Sequence, residues 1–100
     1  GVQTCALPIS WDAEHRSLAD GILDDETYDW LPVLEAMDDG HGAPVVVPER
    51  HVLEANVMAQ QVAGVDASHT GSAGLAGLLA LRAEVRPDER VAVVLSGIRR

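Results

Sequence analysis

Two continuous apolar runs restrict the fold of this chain more than any other feature: Pro44-Val45-Val46-Val47 and Arg90-Val91-Ala92-Val93-Val94-Leu95. The first is β-branched, too short for a helix and continuous rather than alternating; the second, after Arg90, is apolar and rich in valine. They read as strands covered on both faces. Helical patterns surround them. Trp30, Val33, Leu34 and Met37 recur at i, i+3, i+4 and i+7, so Asp29 to Asp38 reads as an amphipathic helix. Asp24-Asp25-Glu26-Thr27 supplies its entry, and Asp39-Gly40-His41-Gly42 stops it. Pro48 suits a first helical position. Glu49 to Ala63 then carries Val52, Leu53, Val57, Met58 and Val62 as a stripe, closed by Gly64. Val65 to His69 reads as a connector or short strand. Thr70 is an N-cap candidate for a third helix, Gly71 to about Glu84. Gly71, Gly74 and Gly77 each cost that helix about 1 kcal/mol, which implies close approach of another backbone or a ligand. Arg86-Pro87-Asp88-Glu89 is a turn, and Ser17 to Gly21 is a short helical turn closed by glycine. Strands alternating with helices argue for α/β layering with parallel strands. Two strands do not make a stable doubly wound sheet, so the segment reads as the end of a larger α/β domain.

Charge narrows the function classes. The 100 residues hold seven Arg, no Lys and sixteen acids, a net charge of −9. No basic face exists to neutralise phosphates, which argues against nucleic acid and against an anionic membrane surface. The densest apolar stretch, Ala73 to Leu81, falls far short of the ~20 residues that span a bilayer, and no signal peptide precedes it. The apolar fraction of 47% fits a globular chain, here read as cytoplasmic. The single Cys5 forms neither an internal disulfide nor a Cys-rich metal site.

Few residues form a chemical motif. Asp24, Asp25 and Glu26 lack EF-hand spacing and read as a solvated helix start. His15, His41, His51 and His69 are scattered, so no metal site is expected. His51 beside Glu54 reads as a surface residue, and Ser68-His69 adjacency does not make a triad. Gly71-Ser72-Ala73-Gly74 opens a helix and suits either an anion or tight packing. Ser96-Gly97 ends the second strand run, at the edge where α/β sheets place ligands; the same dipeptide also makes ordinary turns.

Residues 1–9, GVQTCALPI, stand apart. They reproduce the translation of a sequencing adaptor, GGA GTT CAG ACG TGT GCT CTT CCG ATC. They read as an artefact outside the fold, which leaves Cys5 without a role and residues 10–100 as the native segment, beginning upstream of Trp11. The nonapeptide is uncharged, so the whole −9 belongs to the remainder.

Taken in order, Ser17 to Ile22, Gly21 to Trp30 (GILDDETYDW), Glu54-Ala55-Asn56, Thr70 to Leu79 (TGSAGLAGLL) and Glu89 to Arg100 (ERVAVVLSGIRR) resemble the C-terminal part of the fold-type-II, tryptophan-synthase-β-like pyridoxal-phosphate enzymes. Within that group they are most similar to threonine synthase and its close relatives. The resemblance implies a partial three-layer parallel sheet, the C-terminal portion of a larger catalytic domain. It implies pyridoxal 5′-phosphate as cofactor and a small amino-acid substrate, with O-phosphohomoserine converted to threonine and phosphate. Ser96 matches the strand-end hydroxyl that bonds the cofactor's pyridine nitrogen, and Gly97 follows it as in the group. Gly21 matches the loop passing beside the ring. Thr70, Gly71 and Ser72 match the turn and helix start on the cofactor side. Ile98-Arg99-Arg100 departs from the Gly-Gly-Asn ending of the dehydratase branch, which weakens the alternative of a threonine or serine dehydratase. The chain has neither the Schiff-base lysine nor the glycine-rich phosphate loop. It therefore carries no catalytic residue of that chemistry and is expected to be inactive alone. A small acidic interaction module without cofactor is the alternative from a different class.

Overall fold

The computed structural model describes residues 16–23 and 28–99. The nonapeptide with Cys5, as well as His15 and the helix entry at Asp24 to Thr27, lie outside them. Among the described residues three helices carry the fold: α1, Trp30–Asp39; α2, Glu49–Ala63; and α3, Ala73–Leu81. A 3-10 turn, Asp20–Ile22, precedes α1, and another, Arg82–Glu84, extends α3.

Local chemistry explains these boundaries. Pro32 lies in the first turn of α1, where its missing N–H costs no intrahelical bond. Asp29 precedes α1 in the left-handed region (φ 52°) and makes no side-chain cap. Pro48 sits in extended backbone at the head of α2, which spans the expected residues. Gly64 closes α2 with φ 67°, so its amide and that of Val65 reach back to Gln60 and Ala59. A glycine adopts that left-handed turn without the penalty a Cβ brings. The third helix is shorter than expected, and its N-cap is Ser72, not Thr70. The Thr70 hydroxyl instead accepts the Gly21 amide at 2.9 Å.

Helices α2 and α3 pack on each other and build the core. Val52 and Ala55 of α2 meet Ala76 and Leu79 of α3, and Ala19 plugs the cluster; Val47, Met58 and Leu75 pack around it. The buried face of α2 is Val52, Ala55, Asn56 and Ala59, another i, i+3, i+4, i+7 set. It is not the expected stripe, because Leu53, Val57 and Val62 stand exposed. Alanines win that face because the two helices approach closely, and a methyl fills what a leucine would overfill. No residue of α1 is buried.

The α/β expectation is overturned. The described residues hold no sheet, and their small helical fold replaces the partial three-layer parallel sheet of a fold-type-II domain. Their isolated β-bridge joins Ala67 to Ile98, antiparallel. Val45–Val47 and Val91–Leu95 run outside any named strand, with Val46 52% and Val94 77% exposed. β-branched side chains favour extended backbone, but a strand exists only where a neighbouring chain completes the ladder of amides and carbonyls. Among the described residues neither run has such a ladder.

Candidate functional site

One open cleft, about 1180 Å³, draws together segments far apart in sequence. Leu18, Asp20 and Gly21 line one wall. Helix α2 contributes Leu53, Val57 and Gln60, with the buried Asn56 beneath them. Ser68, His69 and Thr70 line it from the connector between α2 and α3, and Ser96 to Arg99 from the C-terminal segment.

Backbone hydrogen bonds tie the connector to the C-terminal segment. Ser68 N–H donates to the Gly97 carbonyl at 2.9 Å, Ser96 N–H to the Gly71 carbonyl at 3.0 Å, and Arg99 N–H to the Asp66 carbonyl at 2.9 Å. The Ser68 hydroxyl accepts the Gly71 amide at 2.9 Å. Its carbonyl accepts both the amide and the hydroxyl of Ser72, at 3.0 and 2.9 Å. This closed set of bonds brings Gly71 onto Gly97. A Cβ on Gly71 would collide with the Gly97 carbonyl oxygen and lie 2.6 Å from its nitrogen. The close approach expected of the glycines is thus made by a backbone at Gly71. Gly74 is in ordinary contact with Val94, and nothing lies within 4 Å of a Cβ on Gly77.

Asn56 is the polar hub beneath the cleft. It is buried, donates to the Ala67 carbonyl at 2.7 Å, and lies 3.4 Å from the Ser72 hydroxyl. Its oxygen accepts from Gln60 and from Arg99, both at 3.1 Å. A buried amide with its groups paired stabilises a unique arrangement, here of α2, the connector, the start of α3 and the C-terminal segment. Arg99 also pairs with Asp66 at 3.2 Å. Sequence reading quoted Asn56 within a similar segment but gave it no role. Its signal is an amide on a helix face otherwise made of Val and Ala. Ser68 was likewise missed, because its hydroxyl accepts the Gly71 amide three residues on, a contact its sequence neighbours do not mark.

The sequence-predicted residues divide into two groups. Gly21, Thr70, Ser96 and Gly97 line the cleft. Gly71 and Ser72 are buried behind them and hold the wall together. Ser96 is exposed rather than buried, and its hydroxyl makes no hydrogen bond among the described residues. Ser96 thus lines the cleft as an exposed residue of extended backbone, not as the end of a covered strand.

Glu49, at the head of α2, fastens the Ser17–Leu18 stretch of the wall that Leu18, Asp20 and Gly21 line. Its carboxylate accepts from the Ser17 hydroxyl at 2.6 Å and the Leu18 amide at 2.8 Å. The Leu18 and Ser17 bonds hold its pKa below the ordinary glutamate value, with a smaller contribution from His69. No group of three or more His, Cys, Asp or Glu able to hold a metal occurs among the described residues. Nor does any described helix have the length and apolarity to cross a membrane.

On the ring side of a pyridoxal phosphate the cleft offers a hydroxyl-bearing residue at Ser96, the Gly21 backbone, and apolar Leu18, Leu53 and Val57. Nothing in the chain fits its aldehyde, since there is no lysine. Comparison with protein-family models, curated proteins and solved structures finds no match.

Proposed function

We propose that this chain forms the ring-side wall of a pyridoxal-phosphate lyase site of the threonine synthase kind, acting on a small amino acid. The observation that carries the reading is the meeting of Gly21, Thr70, Ser96 and Gly97 around one cleft. These residues come from three separate stretches and were singled out on other grounds. When bound, pyridoxal phosphate supplies an electron sink for a substrate carbanion. In this reading the Ser96 hydroxyl bonds the pyridine nitrogen. A neutral hydroxyl does not hold a proton on that nitrogen as a carboxylate would, so it moderates the sink and suits elimination and replacement at the β and γ carbons. Gly21 presents backbone to the ring, and Thr70 fixes that backbone by accepting its amide. The lysine that anchors the cofactor has to come from outside these residues.

The test is titration of the chain with pyridoxal phosphate, followed by cofactor fluorescence. Weak, reversible binding is expected, with Kd near 1 mM, or about 4 kcal/mol. Borohydride should trap no covalent adduct on a side chain. Ser96→Ala should weaken binding and shift the cofactor emission. Equal affinity and emission for both proteins, or no binding by either, would sink the assignment.

A further inference from the structure

One wall of the cleft is attached differently from the others. The connector and the C-terminal segment are joined by backbone bonds. The Ser17–Ile22 segment is held to the rest of the fold by side chains. Glu49 accepts from the Ser17 hydroxyl and the Leu18 amide, at 2.6 and 2.8 Å. Thr70 accepts the Gly21 amide at 2.9 Å. Between these two fastenings Ala19, 1% exposed, seats its methyl in the α2–α3 core. The segment has its own internal turn: the Ala19 amide donates to the Ser17 hydroxyl, and the Ile22 amide to the Ala19 carbonyl.

We propose that Ser17–Ile22 is a detachable wall of the cleft and that the Glu49 carboxylate is the latch that fastens it. Three features make the segment separable. Its internal bonds survive undocking. Ala19 is its one buried residue, and it contributes only a methyl to the core. The α2–α3 packing beneath it rests chiefly on Val52, Ala55, Ala76 and Leu79. Glu49 suits a latch because both carboxylate oxygens are used, one on each donor, and a charged acceptor strengthens each bond. The Leu18 amide and the Ser17 hydroxyl favour its ionised form, with a smaller contribution from His69 on the connector. Undocking removes Leu18 and Gly21 from the cleft and widens it on that side, giving a ligand a route in. The inference concerns the chain's own wall and holds whether or not the cleft takes pyridoxal phosphate.

Residue-resolved amide exchange on the full chain tests it, with no ligand present. In Glu49→Ala the Leu18 and Gly21 amides should lose protection about tenfold or more, as expected for bonds to a charged group. The Ala59 and Leu79 amides should keep theirs. Ser17→Ala should give a smaller loss at Leu18, and Thr70→Val a loss centred on Gly21. Unchanged protection at Leu18 and Gly21 in Glu49→Ala overturns the latch. A uniform loss through α2 and α3, or a variant that does not fold, overturns the detachable wall.

Discussion

At the scale of single residues, the glycines of the α3 region separate by what surrounds them. Gly71 lies against the Gly97 backbone, and that backbone cannot retreat without breaking the bonds from Ser68 and Ser96. Gly71→Ala is therefore expected to destabilise the chain by about 2 kcal/mol or more, as overpacking does. Gly77 lies inside α3 with open space at its Cβ position. Gly77→Ala should stabilise by roughly 0.5–1 kcal/mol, the helix-propensity difference. Urea unfolding of both variants checks the opposite signs. Glu49 gives a pH prediction. Its folded pKa lies below its ordinary 4.5, so the ionised form is favoured by folding. Its contribution is fully present above about pH 4.5 and is lost as pH falls through the depressed folded value. Protection of the Leu18 amide should follow that course, hold between pH 6 and 8, and become pH-independent in Glu49→Gln. A Leu18 amide whose protection in the wild-type chain showed no more pH dependence than in Glu49→Gln, after correction for intrinsic rates, would contradict it.

At the scale of elements, legibility followed how local the determining physics was. Helix α2 was readable to its ends because Pro48 and Gly64 act within their own turns. Helix α1 was readable in extent, to within one residue at each end, but not in placement. Its Trp30, Val33, Leu34 and Met37 pattern predicts a buried face, yet α1 packs on neither other helix and buries no side chain. Periodicity records that a face is apolar, not that something covers it. The same limit misled the reading of Val45–Val47 and Val91–Leu95, whose composition is that of buried strands without the ladder that makes them so. The resemblance singled out Gly21, Thr70, Ser96 and Gly97, which line the cleft. Asn56, Ser68 and Glu49 were not legible, because their roles depend on contacts from 11 to 43 residues away, or on a turn read only in three dimensions. A ten-residue helix without tertiary packing is marginal in water. The α1 amides are thus expected to exchange close to intrinsic rates while those of α2 are protected. Leu34→Ala should move stability by less than about 0.5 kcal/mol. Equal protection of α1 and α2 would show that α1 is held by more than its own hydrogen bonds.

At the scale of the whole molecule, the core is small and the apolar surface large. Of the seven buried apolar residues among those described, five are alanines; Val52 and Leu79 are the others. Burying a methyl contributes about 0.8 kcal/mol, against about 1.5–3 for a full Val or Leu side chain. Meanwhile Ile22, Val46, Leu53, Val62, Val94 and Ile98 are each more than half exposed. The polar scaffold of Asn56, Ser68, Ser72 and Arg99 fixes which segments meet, but such bonds add only about 1 kcal/mol each once exchange with water is counted. Specific geometry is therefore defined by hydrogen bonds over a core too thin to make unfolding strongly cooperative. The chain should unfold in urea over a broad range, with a slope below about 1 kcal/mol/M. Far-UV ellipticity and amide protection in α2 should not lose signal at one shared midpoint, since α1 and the Ser17–Ile22 wall come apart before the α2–α3 pair. Coincident, steep transitions by both probes would mean that the α2–α3 core commands the whole chain, and the account of a thin core under a hydrogen-bonded frame would have to be given up.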